Sequence, residues 1–201
     1  MSELKFGKAT VVHNIAPEAQ REVRRLSRKL STKGQTFQDN KFDVEKEKNV
    51  RDGVMRLSRL SLREKVSFIG PDGLDAADVK QGGIGDCWFL SALSCIAAED
   101  QPGTELGKLK RDTVENVLQI GHNCTMTAMQ SGGFRFKFSR LGEWVDVIID
   151  DKLPAKRRAR PSDTGEWWVP LTEKAYAKFN GGYDKLIGGQ TCRALTDLRK
   201  G

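Results

Sequence analysis

Residues 81–92, with the sequence QGGIGDCWFLSA, combine a glycine-rich loop, a cysteine and an apolar run that is typical of a helix. Cys87 stands at the junction, where the unpaired N–H groups and the positive end of the helix dipole stabilise a thiolate relative to a thiol. The glycines let the loop fold back, so that the amide of Gln81 can lie beside the backbone N–H of Cys87. Two such donors can stabilise the oxyanion that forms when a thiolate attacks a peptide carbonyl.

Cys87 also has a simpler interpretation, as a buried helix cysteine beneath a glycine turn. Free cysteines in apolar runs such as CWFLSALSCIA usually belong to the core. That interpretation explains neither the spacing from Gln81 nor the Asp-Cys-Trp triplet, so we favour the nucleophile. Cys95 lies eight residues further along the run, near the same face of the helix, and we predict that it packs in the core.

The spacing of glutamine, cysteine and tryptophan around Cys87 is similar to that at the nucleophile of papain-like cysteine proteases, and the GDCW sequence resembles the calpain family. Two later segments also resemble the calpain protease core: GEWVDVIIDDKLP at Gly142–Pro154 and TEKAYAKFNGGYDKLIGG at Thr172–Gly189. The resemblance covers roughly residues 68–201. It implies an intracellular, calcium-dependent cysteine endopeptidase that cleaves protein substrates, with Cys87 as the nucleophile and Gln81 in the oxyanion hole.

The resemblance also implies the fold class, which is α+β. The calpain protease core has two subdomains, of which the first carries the catalytic cysteine and the second carries the histidine and asparagine. We therefore expect the papain-like first subdomain, in which a central buried helix bears the cysteine and is surrounded by helices and a small antiparallel sheet. Residues 49–201 are assigned to this subdomain and residues 1–48 to a basic N-terminal leader.

The sequence offers no clear candidate for the general base that Cys87 would need. A cysteine nucleophile needs an imidazole that takes its proton and later returns it to the leaving amine. The sequence has His13 in the basic N-terminal stretch and His122 in a polar segment, and we interpret both as surface histidines because neither lies in a segment similar to the family's histidine-bearing stretch. We expect that the chain lacks the His/Asn subdomain, requires it as a partner, and alone has at most trace peptidase activity.

A calcium site is the second chemistry that the resemblance implies. Family members bind calcium through a loop just before the nucleophile, where this chain reads GPDGLDAAD at residues 70–78, and one remote carboxylate. Such oxygen ligands suit calcium. By resemblance, the ligands are the carbonyls of Pro71 and Gly73 and the carboxylates of Asp78 and Glu166. The alternative is a solvated acidic turn. Many calpains also have an arginine that links the subdomains where this chain has Ala76, which leaves calcium gating open.

Other cofactor chemistry is not supported by the sequence. The four cysteines form no Cys-x-x-Cys pair, and no His-Glu-x-x-His or GxxxxGK[ST] motif is present. No stretch approaches the roughly 18 apolar residues of a membrane span, and the first residues lack the apolar core of a signal peptide. With free cysteines that suit a reducing compartment, these features predict a soluble cytoplasmic protein. The cysteines are Cys87, Cys95, Cys124 and Cys192.

The positive charge is concentrated at the start of the chain. Residues 1–68 hold 16 Lys and Arg against 9 Asp and Glu, whereas residues 69–201 hold 18 of each kind. Within the leader, EAQREVRRLSRKL at residues 18–30 places apolar residues at helical intervals among basic ones, which predicts a basic amphipathic helix. An anionic membrane surface is a candidate partner for it. The alternatives are a helix packed on the core and a partly disordered leader. We expect no nucleic acid partner.

Hydrophobic period and turn residues predict the main elements. Residues 51–66 and 87–98 are predicted to be helices, and a final helix covers Leu171–Phe179 and ends near Asn180. Three phenylalanines at positions 134, 136 and 138 alternate with basic residues, which predicts a strand that pairs with EWVDVIIDD across Leu141-Gly142. KRRARPSDTG at residues 156–165 is predicted to be a basic loop. Tryptophans 88, 167 and 168 are interpreted as core residues.

Three further functions remain open beside the peptidase. A non-catalytic calcium-responsive interaction module would retain the fold, although it would have no chemical need for both Gln81 and Cys87. A basic membrane- or nucleic-acid-associated protein rests on the leader alone, and salt-sensitive binding would be its signature. A transglutaminase or amidase that uses a cysteine and a histidine would leave the calpain-like segments unexplained.

Overall fold

Two antiparallel sheets lie within the part of the chain that the computed structural model describes, which comprises residues 4–6, 9–13, 36–48, 50, 53–60, 66–71, 73–98, 104, 107, 110, 113–119, 123–124 and 126–199. The strands of these sheets are β1 (Leu4–Phe6), β2 (Ala9–His13), β3 (Val54–Arg56), β4 (Gly133–Arg140), β5 (Glu143–Asp150) and β6 (Lys152–Pro154). The larger sheet has the order β1-β2-β5-β4, and β3 pairs with β6 in the smaller one.

The helices of the described residues pack on one another, and three of them also contact the larger sheet. They are α1 (Leu57–Leu60), α2 (Cys87–Ala97), α3 (Met126–Ser131), α4 (Trp168–Asn180) and α5 (Thr191–Asp197). Short 3-10 turns lie at Val44–Lys46, Ala76–Asp78 and Tyr183–Leu186, and a π-helical turn lies at Thr113–Val117. The combination of helices with small antiparallel sheets confirms the α+β fold class.

The predicted hairpin is confirmed. Strands β4 and β5 pair in one continuous register from Gly133 opposite Asp150 to Arg140 opposite Glu143. Leu141 has the left-handed backbone that the turn between these strands requires, and its side chain points to solvent. The phenylalanines of β4 that alternate with basic residues are all fully buried, as period-two patterning requires.

The two predicted long helices are confirmed as well. Helix α2 begins at Cys87, as the glycine loop before it indicates, and α4 begins at Trp168, three residues before the predicted start. Gly181 ends α4 with a left-handed backbone, which is the usual glycine C-cap. Tyr176 of α4 stacks on Phe89 of α2 with ring centroids 4.0 Å apart, so the two helices share one aromatic core.

The predicted helix over residues 51–66 is wrong at its start. Residues 54–56 form β3, which pairs antiparallel with β6, and only Leu57–Leu60 is helical before the described residues are interrupted. Tertiary contacts explain the difference, because the guanidinium of Arg56 donates to Asp151 Oδ1 at 2.6 Å and holds the segment beside β6. Local periodicity carries no information about that partner.

Cys95 is exposed, so its predicted place in the core is wrong. Cys87, Ser91 and Cys95 are spaced by four residues, which places them on one face of α2, and the whole of that face is exposed. The helix face that Cys95 shares with Cys87 therefore indicated that Cys95 is exposed. Trp88, Trp167 and Trp168 are buried, as predicted.

Buried ion pairs attach residues 36–48 and strand β5 to α4. The ammonium of Lys178 donates to Asp39 Oδ2 at 2.6 Å, and the fully buried Lys174 pairs with Asp150. Phe42 from the same segment belongs to the common core. The assignment of residues 1–48 to a leader stays a prediction, and its amphipathic helix lies outside the described residues. None of the helices in the described residues combines the length and apolarity that a bilayer span requires.

Candidate active site

Cys87 is the first residue of α2, and its side chain is exposed. The next residue, Trp88, points the other way into the core, where its indole N–H donates to the carbonyl of Leu186 at 2.8 Å. Gly189 lies against the same ring so closely that a Cβ there would overlap it. These contacts fix the start of the helix, so the thiol is presented to solvent by a rigid element.

The loop before Cys87 turns sharply at Gly85, whose backbone φ is +89°. Its carbonyl accepts a hydrogen bond from the N–H of Gly188 at 3.1 Å, which joins the loop to the segment that follows α4. A left-handed backbone is strained for residues with a Cβ, so this turn requires glycine.

Gln81 lies on a short ladder between this loop and the basic segment 157–160. The N–H of Arg160 donates to the carbonyl of Lys80 at 2.9 Å, and the N–H of Gly83 donates to the carbonyl of Arg157 at 2.7 Å. The side chain of Gln81 between these two bonds is exposed. Gln81 and Cys87 therefore lie at the two ends of one loop that is held by these hydrogen bonds, and their pairing in an oxyanion hole stays a prediction.

Gly82 is the point of closest approach in this ladder. A Cβ at this position would overlap the carbonyl oxygens of Arg157 and Arg158. At Gly83 the nearest atom to a Cβ would be Arg157 Cγ at 3.7 Å, which is ordinary van der Waals contact. Only the first of these glycines is required by packing.

A buried carboxyl pair lies beneath the loop. Asp86, which precedes the candidate nucleophile, is 0% exposed. It faces the carboxyl group of Glu173 in α4, which is also fully buried. The oxygens of Glu173 also accept the N–H of Ala159 at 2.9 and 3.1 Å.

A single proton, held by Glu173, relieves the repulsion between the two carboxyl groups. Burial, and then the neighbouring Asp86 carboxylate, raise the pKa of Glu173 well above its usual value, while the Ala159 N–H and the Arg158 guanidinium oppose the shift. Burial also raises the pKa of Asp86, but its hydrogen bond with Glu173 works in the opposite direction. Glu173 therefore keeps the proton and donates it to the carboxylate of Asp86.

The sequence pattern does not single out Glu173. It lies in the run TEKAYAK, whose charged residues would ordinarily be assigned to a solvated helix face. In the structure nearly every side chain of α4 is buried, including those of Glu173, Lys174 and Lys178. The available signal is the apolar residues on all sides of these charges, which indicates burial on every face.

Two of the four predicted calcium ligands are in contact with each other. Asp78 and Glu166 are both buried and interact directly, and burial followed by the Asp78 carboxyl raises the pKa of Glu166. The indole N–H of Trp168 donates to Asp78 Oδ2 at 3.0 Å. Glu166 packs on Gly70, where a Cβ would overlap its Oε1 atom. Two adjacent buried carboxylates repel each other unless a cation or a proton lies with them.

The main-chain half of the predicted calcium set lies in a tight turn beside this pair. Gly73 has a φ of +82°, and its N–H donates to the carbonyl of Gly70 at 3.2 Å. Pro71 lies at the exposed tip of the turn. The described residues contain no group of three or more His, Cys, Asp or Glu side chains that could hold a metal ion. A metal here would need main-chain oxygens beside the two carboxylates.

The structure gives only a backbone position for one of the two histidines. His13 is in β2, whose backbone pairs with Val145 of β5, and His122 lies outside the described residues. Their interpretation as surface histidines stays a prediction.

An α+β unit whose central helix begins at an exposed cysteine, after a glutamine-bearing glycine loop, is typical of papain-like cysteine proteases. The sequence profile of the calpain family of cysteine proteases matches residues 35–201. The chain therefore belongs to the calpain family.

Known calpains match most of the chain but only a small part of their own length. Calpain clp-4 of Caenorhabditis elegans is 40% identical over 128 residues, which is 62% of this chain and 16% of the relative. Calpain-5 of Mus musculus is 37% identical over 134 residues, or 65% and 20%. Calpain-A of Drosophila melanogaster is 36% identical over 134 residues, or 65% and 15%. The aligned region thus spans at most a fifth of these relatives.

We expect the substitution Gly82→Ala to lower the free energy of unfolding by about 1–3 kcal/mol, the usual cost of overpacking. The added methyl group would push the segment 157–160 away from the loop. Gly83→Ala is the matched control, because its Cβ makes an ordinary contact. Urea unfolding of both variants measures the effect, and equal losses would contradict the close approach at Gly82.

We expect Glu173→Gln to flatten the dependence of stability on pH. Because folding raises the pKa of Glu173, the folded state binds its proton more tightly, and the wild-type free energy of unfolding falls as pH rises from about 4.5 through the folded pKa. The slope for one proton is at most about 1.4 kcal/mol per pH unit. Glutamine cannot ionise but can donate a hydrogen bond to Asp86, so its variant escapes this loss.

Chemical unfolding from pH 5 to pH 8 measures the difference between Glu173→Gln and the wild-type chain. Glu143→Gln, at an exposed position of the hairpin, is the matched control and should follow the wild-type curve. A Glu173→Gln variant that is less stable throughout, with an unchanged slope, would show that Glu173 is ionised in the folded protein.

Proposed function

We propose that this chain supplies the nucleophile half of a calcium-dependent cysteine endopeptidase that cleaves intracellular proteins. The observation that carries the proposal is the exposed thiol of Cys87 at the first position of the buried helix α2. Membership of the calpain family supports the reaction class. The exposed amide of Gln81, at the other end of a loop fixed by hydrogen bonds, supports the same assignment.

In the proposed reaction, the Cys87 thiolate attacks the carbonyl carbon of a peptide bond. The negative charge that develops on the carbonyl oxygen is stabilised by the Gln81 amide and the Cys87 backbone N–H. The C–N bond then breaks, and the leaving amine takes a proton from an imidazolium group, leaving a thioester on Cys87. Water hydrolyses the thioester and restores the thiol. The imidazole and its asparagine partner are proposed to come from a second subdomain.

The residues near Asp78 fit a calcium ion. A cation or a proton is needed between two adjacent buried carboxylates, and oxygen ligands from carboxylates and carbonyls suit calcium. We propose that Asp78 and Glu166 bind the ion together with the carbonyls of Pro71 and Gly73. Bound calcium would remove the repulsion between the two carboxylates and fix the loop that leads into Gln81. Because position 76 is alanine, the proposal includes calcium binding but no gating of the subdomains through that residue.

The remaining partners follow from the same proposal. Protein substrates would bind across the exposed face of α2, and a His/Asn-bearing subdomain would complete the cleft. Binding of the basic leader to an anionic membrane surface, and a cytoplasmic location, remain predictions from the sequence.

The peptidase proposal is tested by cleavage of an unstructured protein substrate in the presence of calcium, with and without an added His/Asn-bearing calpain subdomain. We expect cleavage only with the added subdomain, and its loss in Cys87→Ala. Gln81→Ala should reduce kcat by about 10²- to 10³-fold, the usual effect of losing one oxyanion donor.

Cys95→Ala is the matched control, because this thiol lies on the same exposed face of α2 and should be dispensable. Cleavage that persists in Cys87→Ala would contradict the proposed nucleophile. No cleavage under any condition would favour the calcium-responsive interaction module.

Calcium binding is tested by thermal unfolding with calcium or magnesium added. A ligand at 100 times its Kd stabilises the folded state by about 2.7 kcal/mol, so the Tm should rise with calcium. We expect Asp78→Asn and Glu166→Gln to lose that shift. Without calcium, Glu166→Gln should be more stable than the wild-type chain near pH 7, because it removes a carboxylate whose pKa is raised by burial and by Asp78.

Asp75→Asn is the control for these variants. Its carboxylate lies in the same loop but is exposed and caps Ala77, and asparagine can cap in the same way. A calcium shift that survives in both Asp78→Asn and Glu166→Gln would contradict the proposed ligands.

A further inference from the structure

A basic surface lies beside the candidate nucleophile. Lys156, Arg157 and Arg160 are exposed, and they belong to the segment that pairs with the glycine loop. The pairing of Lys80 with Arg160 and of Gly83 with Arg157 places the backbones of these two arginines opposite the loop residues on either side of Gln81. The backbones of Arg157 and Arg160 are therefore fixed by hydrogen bonds to the loop that carries Gln81.

Arg157 is held most closely to the loop. Its Nε and Nη2 atoms donate to the carbonyl of Gly83 at 3.2 and 2.9 Å, while its own carbonyl accepts the N–H of Gly83. Its backbone φ is +69°, an uncommon conformation for a residue with a Cβ. The guanidinium remains exposed, so its other N–H groups can bind a ligand.

The nearby charges leave this surface positive. Between residues 153 and 165 the only acidic residue is Asp163, and it forms an ion pair with Lys80. Arg158 is turned inward, where it donates to the carbonyl of Ala155 and lies over the ring of Trp167. Lys156, Arg157 and Arg160 are therefore the cations that face solvent beside the loop.

From this arrangement we infer that the proposed cleft selects peptides with an aspartate or glutamate close to the scissile bond, and that Arg157 is the main specificity-determining residue. The inference rests on the proposed peptidase function. A guanidinium binds carboxylates through paired, charge-assisted hydrogen bonds, and a neutral side chain offers no such partner. For a solvent-exposed pair the preference is expected to be about fivefold, and salt should reduce it.

The inference can be tested on this chain without proteolysis, by alkylating its cysteines with iodoacetate and with iodoacetamide. The two reagents differ in charge, and iodoacetate carries the carboxylate that the surface should attract. Mass spectrometry of the digested protein gives the rate ratio at Cys87, and the ratio at the exposed Cys95 provides an internal reference. We expect a higher iodoacetate-to-iodoacetamide ratio at Cys87, and a decrease of about fivefold in Arg157→Gln.

Two further variants separate charge from structure. Arg157→Lys keeps the charge and should retain most of the iodoacetate preference. Arg59→Gln removes an exposed arginine of α1 and should leave the ratio unchanged. High salt should lower the iodoacetate-to-iodoacetamide ratio in the wild-type chain and in both of these variants. It should not lower the ratio in Arg157→Gln. An equal ratio at Cys87 in the wild-type chain and in Arg157→Gln would overturn the inference.

The outcome is distinguishable from the failure of the peptidase proposal. A ratio that depends on Arg157, in a protein that cleaves nothing even with an added His/Asn-bearing subdomain, would support the anion-selective surface and contradict the peptidase. Cleavage that depends on Cys87 but shows the same kcat/KM for acidic and neutral peptides would overturn only the substrate preference.

Discussion

The carboxyl group of Glu173 is the constraint on which the rest of the site depends. It accepts the N–H of Ala159 on one side and faces Asp86 on the other, inside a helix that is buried on all faces. Ala159 belongs to the segment that pairs with the Gln81 loop, and Asp86 immediately precedes Cys87. One buried acid thus contacts both the segment that pairs with the Gln81 loop and the residue that precedes the thiol.

Burial of charge is general in this helix. Lys174 and Lys178 are buried beside Glu173, and each has an acidic partner, in Asp150 and Asp39. Removing one partner from such a pair leaves an uncompensated charge and usually costs about 3–5 kcal/mol, so these residues specify how α4 packs. The free-energy cost of burying each charge is offset by its ion pair. These ion pairs also attach separate segments of the chain to the same helix. The same helix then carries the group that positions the candidate site.

Local patterns predicted much of this structure because local physics determines much of it. The alternating phenylalanines of β4, the Leu141-Gly142 turn and the glycine loop before Cys87 each contain the signal for their own conformation. The strand at residues 54–56 could not be predicted reliably, since it depends on its pairing with β6, which is distant in sequence. The exposure of Cys95, by contrast, agrees with its helical spacing from Cys87. Glu173 is the clearest example, because its role is visible only once Ala159 and Asp86 lie beside it.

Three features of the structure support the proposed chemistry. Glycine supplies the close approach at position 82, the core supplies the rigid start of α2, and the exposed cations of the neighbouring segment supply charge. The proposed calcium site is connected to the same loop. Asp78 lies three residues before Gln81, and Glu166 contacts Asp78.

Amide hydrogen exchange at Ala159 and Gly83 tests the central role of Glu173 most directly. Both N–H groups are hydrogen-bonded, one to Glu173 and one to the carbonyl of Arg157. We predict that both are protected in the wild-type chain and that both lose protection in Glu173→Leu, while the amides of the β4–β5 hairpin stay protected. If Gly83 remains protected after Ala159 has lost its partner, the loop is held independently of Glu173 and the account is contradicted.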